Sequence, residues 1–118
     1  MKLVQKQTIQ DRDTDSMAQS RHNTQERVWQ IVHQIPKGQV ATYGQIAKMA
    51  GFPQHSRLIG RILSRLPPNT RLPWHRVINS QGRITNPAKD RQQSRLEKEG
   101  VTLINGRVSL KVYGWDAN

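Results

Sequence analysis

The sequence predicts a mainly helical domain with a small β-hairpin at its end, arranged like a winged helix around a helix-turn-helix. Two helical segments separated by a short Gly-containing turn predict the helix-turn-helix. An Asn105-Gly106 pair between two apolar runs predicts the hairpin. A chain of 118 residues is long enough for one domain with one modest core.

The N-terminal segment, residues 1–22, is mostly polar and shows no helical stripe of apolar side chains. Composition of this kind does not provide enough apolar surface to form a core. We therefore expect a flexible tail over residues 1–22 and a folded domain over residues 23–118. The charges of the tail nearly cancel, so the basic excess of the chain belongs to the folded part.

The first helix should run from about Thr24 to Ile35. Asn23 and Glu26 have the spacing of a capping box, and Pro36 prevents the helix from continuing. Its buried face is predicted by apolar residues at helical spacing, namely Val28, Ile31, Val32 and Ile35.

A second, shorter helix should run from Tyr43 to Met49, after an extended link at Val40-Ala41. Thr42 and Gln45 repeat the capping pattern at its start, and Gly51 follows its end. The residues expected to bury it are Ile46, Ala47 and Ala50.

The third helix, predicted over residues 54–66, carries an arginine every fourth residue opposite its apolar face. A solvated face would normally mix Lys with Glu, whereas this one has Arg alone. We therefore favour contacts with nucleic-acid phosphates over simple solvation. Gly60 within this helix predicts close packing or a close approach to a partner. The arginines are Arg57, Arg61 and Arg65.

Residues 72–82 place an indole, an imidazole and a guanidinium side by side. If residues 73–78 are extended, Trp74 and Arg76 point to one side and His75 to the other. The segment is then either the floor of a pocket or an edge strand whose indole packs into the core. Asn79 to Gly82 should form a turn.

The C-terminal part should contain a polar helix and the hairpin. Asp90 to Glu99 predicts the helix, with Leu96 as its main apolar anchor and Gly100 at its end. The hairpin strands are expected over residues 101–104 and 107–112.

The charge distribution points to a polyanionic partner. The chain carries a net charge of +11, and residues 27–89 hold ten Lys and Arg but no Asp or Glu. Such an imbalance is typical of nucleic-acid binders. No apolar stretch approaches the length of a membrane span, and no secretory signal is expected, so we expect a monomeric, cytoplasmic, nucleoid-associated protein.

The absence of cysteine excludes several kinds of chemistry. With no Cys the chain has no disulfide, no thiolate nucleophile and no Cys-based zinc site. Its four histidines lack ligand spacing, so neither a metal nor another cofactor is expected.

Four segments resemble one known family when they are taken together. Residues 42–47, 56–60, 73–78 and 96–100 read TYGQIA, SRLIG, PWHRVI and LEKEG, in that order. They are similar to the C-terminal domain of DNA-repair alkylguanine alkyltransferases, in which a Pro-Cys-His-Arg-Val motif holds the cysteine that accepts the alkyl group. Trp74 stands at the cysteine position. The chain therefore looks like an alkyltransferase-like protein, the non-enzymatic branch that binds alkylated DNA and signals for repair.

The resemblance implies roles for individual residues. Arg57 matches the arginine that fills the space of an extruded nucleotide, and Tyr43 matches the tyrosine that crowds the adjacent phosphate. Arg61 and Arg65 would contact DNA beside them. The lesion pocket would be formed by Trp74, His75, Arg76, Val77, Asn79, Ser80 and Gly82, with Glu99 in a supporting role.

The resemblance also implies a function. We expect binding of double-stranded DNA that contains O6-alkylguanine, base flipping without alkyl transfer, and recruitment of nucleotide excision repair. The loop over residues 84–91 is shorter than in the enzymes, which predicts an open pocket that tolerates large adducts; Arg83, Lys89 or Arg91 would sense the base. The alternative is a winged-helix regulator that reads an undamaged sequence.

Overall fold

The computed structural model describes residues 23–117, so the predicted tail over residues 1–22 lies outside the described residues. Its elements are α1 (23–33), β1 (Ala41–Thr42), α2 (Tyr43–Met49), α3 (Ser56–Ser64), a 3₁₀ turn (Trp74–Arg76), β2 (Val77–Ile78), α4 (Lys89–Lys98), β3 (Leu103–Ile104), β4 (Arg107–Val108) and α5 (Leu110–Tyr113). The prediction of a mainly helical, helix-turn-helix fold with a small hairpin is confirmed. No helix among the described residues is long and apolar enough to cross a membrane.

Helix α1 buries the predicted face against the helix-turn-helix. Val28, Ile31, Val32 and Ile35 are at most 7% exposed. The helix ends at residue 33, and the next two residues form tighter turns in which Gln34 and Ile35 donate to carbonyls three residues back. Pro36, which has no N–H to donate, explains why the chain leaves the helix here.

Helix α2 has the predicted bounds. Of the two hydrogen bonds of the predicted capping box, the one to the Thr42 side chain is formed. Thr42 Oγ1 accepts a hydrogen bond from the backbone N–H of Gln45 at 3.0 Å. The side chain of Gln45 instead donates to the carbonyl of Trp115 at 2.9 Å, so it connects α2 to the C-terminal segment. The expected burial of α2 is confirmed, because Ile46, Ala47 and Ala50 are fully buried.

Helix α3 is shorter than predicted at both ends. The turn after Gly51 extends to His55, whose N–H donates to the carbonyl of Phe52, and no side chain caps the helix start. Arg65 follows the last helical residue, ahead of two prolines. Ile59 and Leu63 face the core, so the opposite face is turned outward.

The extended conformation predicted for residues 73–78 is wrong for its first half. Trp74–Arg76 form a 3₁₀ turn, and strand geometry begins at Val77. His75 and Arg76 do not point to opposite sides, since both contact the carboxylate of Glu99. The turn follows from local hydrogen bonding, because the N–H of Arg76 donates to the carbonyl of Pro73 at 3.0 Å.

A parallel strand pair, which was not predicted from the sequence, joins the segment after the 3₁₀ turn to the segment before α2. Ala41 pairs with Val77 and Thr42 with Ile78. Two residues per strand are too few to produce a recognisable alternation of apolar and polar side chains. Because Thr42 also caps α2, the pairing fixes the turn beside the start of that helix.

The C-terminal part contains α4, the hairpin and one further helix. Leu96 anchors α4 as predicted, and Asn105-Gly106 turns the hairpin with positive φ at both residues. The second hairpin strand ends at Val108, and the strand predicted up to residue 112 is wrong beyond it. Ser109 Oγ accepts from the N–H of Val112 and thereby starts α5.

Candidate nucleic-acid interface

The outward face of α3 carries cationic side chains and no acidic ones. Arg57 lies in its first turn, Arg61 one turn further on, and Arg65 immediately after its last residue. All three are exposed. Their spacing of four residues places them along one side of the helix, which gives a row of positive charge suited to a phosphate backbone.

Tyr43 and Arg57 share a surface cavity of about 310 Å³ between the starts of α2 and α3. Burial raises the pKa of Tyr43, while a hydrogen bond with the side chain of Thr85 acts in the opposite direction. The phenol is therefore neutral at physiological pH and does not repel a phosphate. Gly60 also lines this cavity, and a Cβ placed on it would lie 4.0 Å from the Tyr43 ring, an ordinary contact.

Trp74 lies beside a second open cavity, of about 270 Å³. Its side chain is half-buried rather than sealed in the core. Three residues, Ser64, Asn86 and Pro87, line both this cavity and the Tyr43–Arg57 cavity, so the two adjoin. The indole thus borders an open cavity that adjoins the one bordered by Arg57.

Two guanidinium groups from α4 lie over the indole of Trp74. The central guanidinium carbon of Arg91 is 5.5 Å from the ring centroid, and that of Arg95 is 5.4 Å away. These distances are within the range of cation–π contact. Arg91 also lines the Trp74 cavity, whereas Arg83 and Lys89 line a different one near the hairpin.

Glu99 connects three parts of the chain behind this cavity. One of its oxygens lies 2.8 Å from His75 Nε2 and accepts from Arg76 Nη2 at 2.7 Å. The other accepts from Arg76 Nε at 2.9 Å and from the N–H of Gly38 at 3.3 Å. Arg76 Nη1 also donates to the carbonyl of Ile35 at 2.7 Å. The network holds the 3₁₀ turn against α4 and against the chain that follows α1.

The charge states in this network follow from burial and hydrogen bonding. Burial acts to raise the pKa of Glu99, but hydrogen bonds from Arg76, His75 and Gly38 outweigh it and lower the pKa to about 2. Burial lowers the pKa of His75 below its ordinary value, against the effect of Glu99. At neutral pH the carboxyl group is therefore ionised and the imidazole neutral, so His75 Nε2 is the donor to Glu99.

Comparison with known proteins identifies the family to which the fold belongs. Residues 23–101 match the family described as the DNA-binding domain of 6-O-methylguanine DNA methyltransferase. The chain belongs to this family. The match includes the arginine row, Tyr43, the 3₁₀ turn and Glu99.

Within this family the chain is similar to proteins that are not named as methyltransferases. The DNA base-flipping protein of Vibrio parahaemolyticus serotype O3:K6 (strain AQ3810) is 48% identical over 92 residues, which are 75% of this chain and 92% of that protein. Alkyltransferase-like protein 1 of Schizosaccharomyces pombe (strain 972 / ATCC 24843) is 40% identical over 98 residues, or 75% and 91% of the two chains. The resemblance to the alkyltransferase-like branch is confirmed.

A solved structure agrees with this placement. S. pombe Atl1 in complex with damaged DNA containing O6-carboxymethylguanine matches with a TM-score of 0.77 and 38% sequence identity. The match covers 80% of this chain and 96% of that one.

The departure from the methyltransferase motif is at the acceptor position. Trp74 occupies the place of the acceptor cysteine in Pro-Cys-His-Arg-Val, and the whole chain has no cysteine. Displacement at an alkyl carbon needs a soft nucleophile such as a thiolate, and an indole does not supply one. His75 and Glu99 are hydrogen-bonded at 2.8 Å, but the chain has no thiol for this pair to activate.

The other residues predicted to form the pocket lie away from the Trp74 cavity. Val77 is 1% exposed in the core. Asn79 Oδ1 accepts from the N–H groups of Gln81 and Arg83, so Asn79, Ser80 and Gly82 belong to a turn. Gly82 N–H donates to the carbonyl of Asn79, and the carbonyl of Gly82 accepts from Val108, which docks the turn on the hairpin.

Gln92 is a buried site residue that the sequence reasoning missed. Its Nε2 donates to the carbonyls of His75 and Val77 at 3.0 and 2.9 Å, which fixes the backbone on both sides of Arg76. The signal was present, since Gln92 lies four residues before the anchor Leu96 and so shares its helix face. Within the described residues, no cluster of His, Asp and Glu is suited to a metal ion.

Proposed function

We propose that this protein binds double-stranded DNA containing O6-alkylguanine, rotates the modified nucleotide into the Trp74 cavity and releases it chemically unchanged. The observation that carries the proposal is the half-buried indole of Trp74, which stands at the acceptor position of the family motif and borders an open cavity beside α3. An aromatic wall offers a stacking surface to a base. The absence of sulfur leaves nothing at this position to accept the alkyl group.

The arrangement of cavities supports base extrusion. Arg57 and Tyr43 border the cavity that adjoins the Trp74 cavity. A base that leaves the DNA stack beside Arg57 would therefore reach the indole through adjoining cavities. Extrusion costs a few kcal/mol of unstacking and unpairing. A guanidinium that replaces the lost base, together with phosphate contacts from Arg61 and Arg65, offsets that cost. Support also comes from the relatives called DNA base-flipping protein and from the Atl1 complex with damaged DNA.

The test of extrusion replaces Arg57 by alanine. We expect Arg57→Ala to weaken lesion binding and to abolish the rise in fluorescence of a base analogue placed opposite O6-methylguanine, which reports the loss of stacking. Lys111→Ala, which removes one positive charge from α5, should leave the fluorescence change intact. An unchanged signal in Arg57→Ala would show that another residue fills the vacated stack.

The open Trp74 cavity also supports tolerance of large adducts. It is open to solvent and adjoins the neighbouring cavity, with which it shares three lining residues, so a long O6 substituent has room to extend outward. Affinities for O6-methylguanine and O6-benzylguanine in one duplex should then be similar. A steep loss for the larger adduct would refute this part of the proposal.

The biological output of such binding is a persistent complex, because no reaction ends it. We propose that a monomer in the cytoplasm, associated with the nucleoid, marks the lesion for nucleotide excision repair. Excision of an O6-alkylguanine oligonucleotide from plasmid DNA in cell extract should increase when the protein is added. If excision does not increase, the proposed role in signalling to nucleotide excision repair is refuted, while the proposed binding to the lesion is unaffected.

A further inference from the structure

The Trp74 wall of the cavity carries two positive charges, and no carboxylate of the described residues forms an ion pair with either. Arg91 and Arg95 are one helical turn apart on α4. Their central guanidinium carbons lie 5.5 and 5.4 Å from the centroid of the Trp74 ring. Glu99 is paired with His75 and Arg76, and neither Arg91 nor Arg95 forms an ion pair with a carboxylate of the described residues. Glu99, one turn beyond Arg95, is already occupied by Arg76, His75 and Gly38.

The charge of these arginines reaches the interior of the site. The positive charge of Arg95 is one of the influences that lower the pKa of His75, behind burial. Arg91 is the charged residue among those that line the Trp74 cavity, and the other lining residues are neutral. An anionic group that entered the cavity would therefore meet a cation and no carboxylate.

Stacking leaves these guanidinium groups able to bind an anion. When a guanidinium lies over an aromatic face, its N–H groups remain free at its edge. A carboxylate matches that edge with two parallel hydrogen bonds, which a neutral group of the same size forms less well.

We propose that Arg91 and Arg95 form an anion-recognising wall of the lesion pocket, so that the protein prefers O6 adducts ending in a carboxylate over neutral adducts of equal size. The inference rests on the proposed function, since it requires that the modified base enter the Trp74 cavity. It differs from phosphate binding by the same arginines, because phosphate contacts strengthen binding to every duplex alike.

The experiment compares three duplexes that differ at one guanine, which is unmodified, O6-carboxymethylated or O6-carbamoylmethylated. The last two adducts have nearly the same shape, but only the first carries a charge. We expect wild-type protein to bind the carboxylate about tenfold more tightly than the amide, which is the ratio produced by a charge-assisted hydrogen bond worth about 1.4 kcal/mol. The ratio should decrease as salt is added.

Substitutions of Arg91 and Arg95 test whether these two side chains produce the preference for the carboxylate adduct over the amide adduct. Arg91→Gln and Arg95→Gln should each reduce the ratio, and the double variant should bring it close to one. Arg61→Gln, which removes the same charge from α3, should weaken binding to all three duplexes and leave the ratio unchanged. Melting temperatures measured alongside identify any variant that has lost its fold, and Arg91→Lys, which keeps the charge but loses the planar edge, should give an intermediate ratio.

The outcomes separate the two proposals. A ratio near one in wild-type protein, or an undiminished ratio in the folded double variant, overturns the anion-recognising wall while the preference for modified over unmodified guanine stands. Equal weakening on all three duplexes in the double variant assigns the arginines to phosphate contacts instead. Equal wild-type affinity for all three duplexes overturns the proposed function itself.

Discussion

The identity of one side chain separates this protein from the methyltransferases with which it shares a fold. The backbone around Trp74 is held by hydrogen bonds that do not depend on the indole. Gln92 donates to the carbonyls of His75 and Val77, and Glu99 binds the side chains of His75 and Arg76. A cysteine or a tryptophan can therefore occupy the same turn. The difference between accepting an alkyl group and only holding the base then lies in the side chain at position 74.

Replacement of Trp74 tests its role in lesion recognition. Trp74→Ala should reduce the preference for O6-methylguanine over guanine by the stacking energy of one base, about 1–3 kcal/mol, and should change affinity for undamaged DNA much less. Equilibrium binding to matched duplexes measures both affinities. Trp74→Phe should retain part of the preference. A loss of the folded state in both variants would show that the indole is a structural residue.

The partly buried carboxylate of Glu99 predicts how the stability of the fold changes in acid. The pKa of Glu99 is about 2 in the folded protein against 4.5 ordinarily. A lowered pKa contributes stability above the unfolded value, and that contribution is lost as the pH falls from about 4.5 to 2; its size is on the order of 3 kcal/mol. His75, with its pKa also lowered, adds a loss that begins as the pH falls below its ordinary value of 6.5.

Thermal unfolding of wild-type protein and of Glu99→Gln at pH 7, 5 and 3 measures this contribution. The variant should be less stable than wild type at pH 7, and the difference in stability should narrow by pH 3, because the Glu99 carboxylate of the unfolded wild-type chain takes up a proton over this range while that of the folded protein stays ionised. A gap that stays constant over this range would mean that the Glu99 charge does not stabilise the fold.

At the scale of elements, the helix-turn-helix was predictable because its signals are local. Thr42 and Gln45 predicted the start of α2, and the four-residue spacing of arginines predicted the outward face of α3. The 3₁₀ turn was not predictable, because three residues with adjacent polar side chains fit a strand as well as a turn. The parallel pairing of Ala41 with Val77 joins residues far apart in the chain, and no local pattern encodes it.

The same limit applies to the candidate site. Tyr43, Arg57 and Trp74 were identified from the family motif, and the structure brings them to two adjoining cavities. The contact of Arg91 and Arg95 with Trp74 depends on how α4 packs against the 3₁₀ turn, which is a tertiary property. Asn79, Ser80 and Gly82 follow the motif in sequence, but the chain turns away from the cavity after Ile78.

The arginine row on α3 predicts how binding depends on salt. Arg61→Ala and Arg65→Ala should each lower affinity for damaged and undamaged duplexes by the same factor, because phosphate contacts carry no information about the base. Each substitution should make the slope of log affinity against log salt shallower by about 1. Titrations at several salt concentrations measure the slope. An unchanged slope would place these side chains away from the phosphates.

At the scale of the whole molecule, the positive net charge and the absence of cysteine are both consistent with a protein that binds DNA without reacting with it. A net charge of +11 draws the domain to any DNA, so affinity alone does not distinguish damaged from undamaged sites. In the proposed function, discrimination comes from the two cavities beside α3, where an extruded base would meet Trp74. With no thiol in the chain, the outcome of recognition is a bound complex rather than a repaired base.

The most direct test is equilibrium binding to duplexes that differ only in guanine or O6-methylguanine at one position, repeated in several flanking sequences, with the intact mass of the protein recorded afterwards. We expect tighter binding to the modified duplex in every sequence, by roughly tenfold or more from stacking on Trp74, and an unchanged mass. Equal affinity for both duplexes, a preference for one undamaged sequence, or a gain in mass equal to the alkyl group would contradict it.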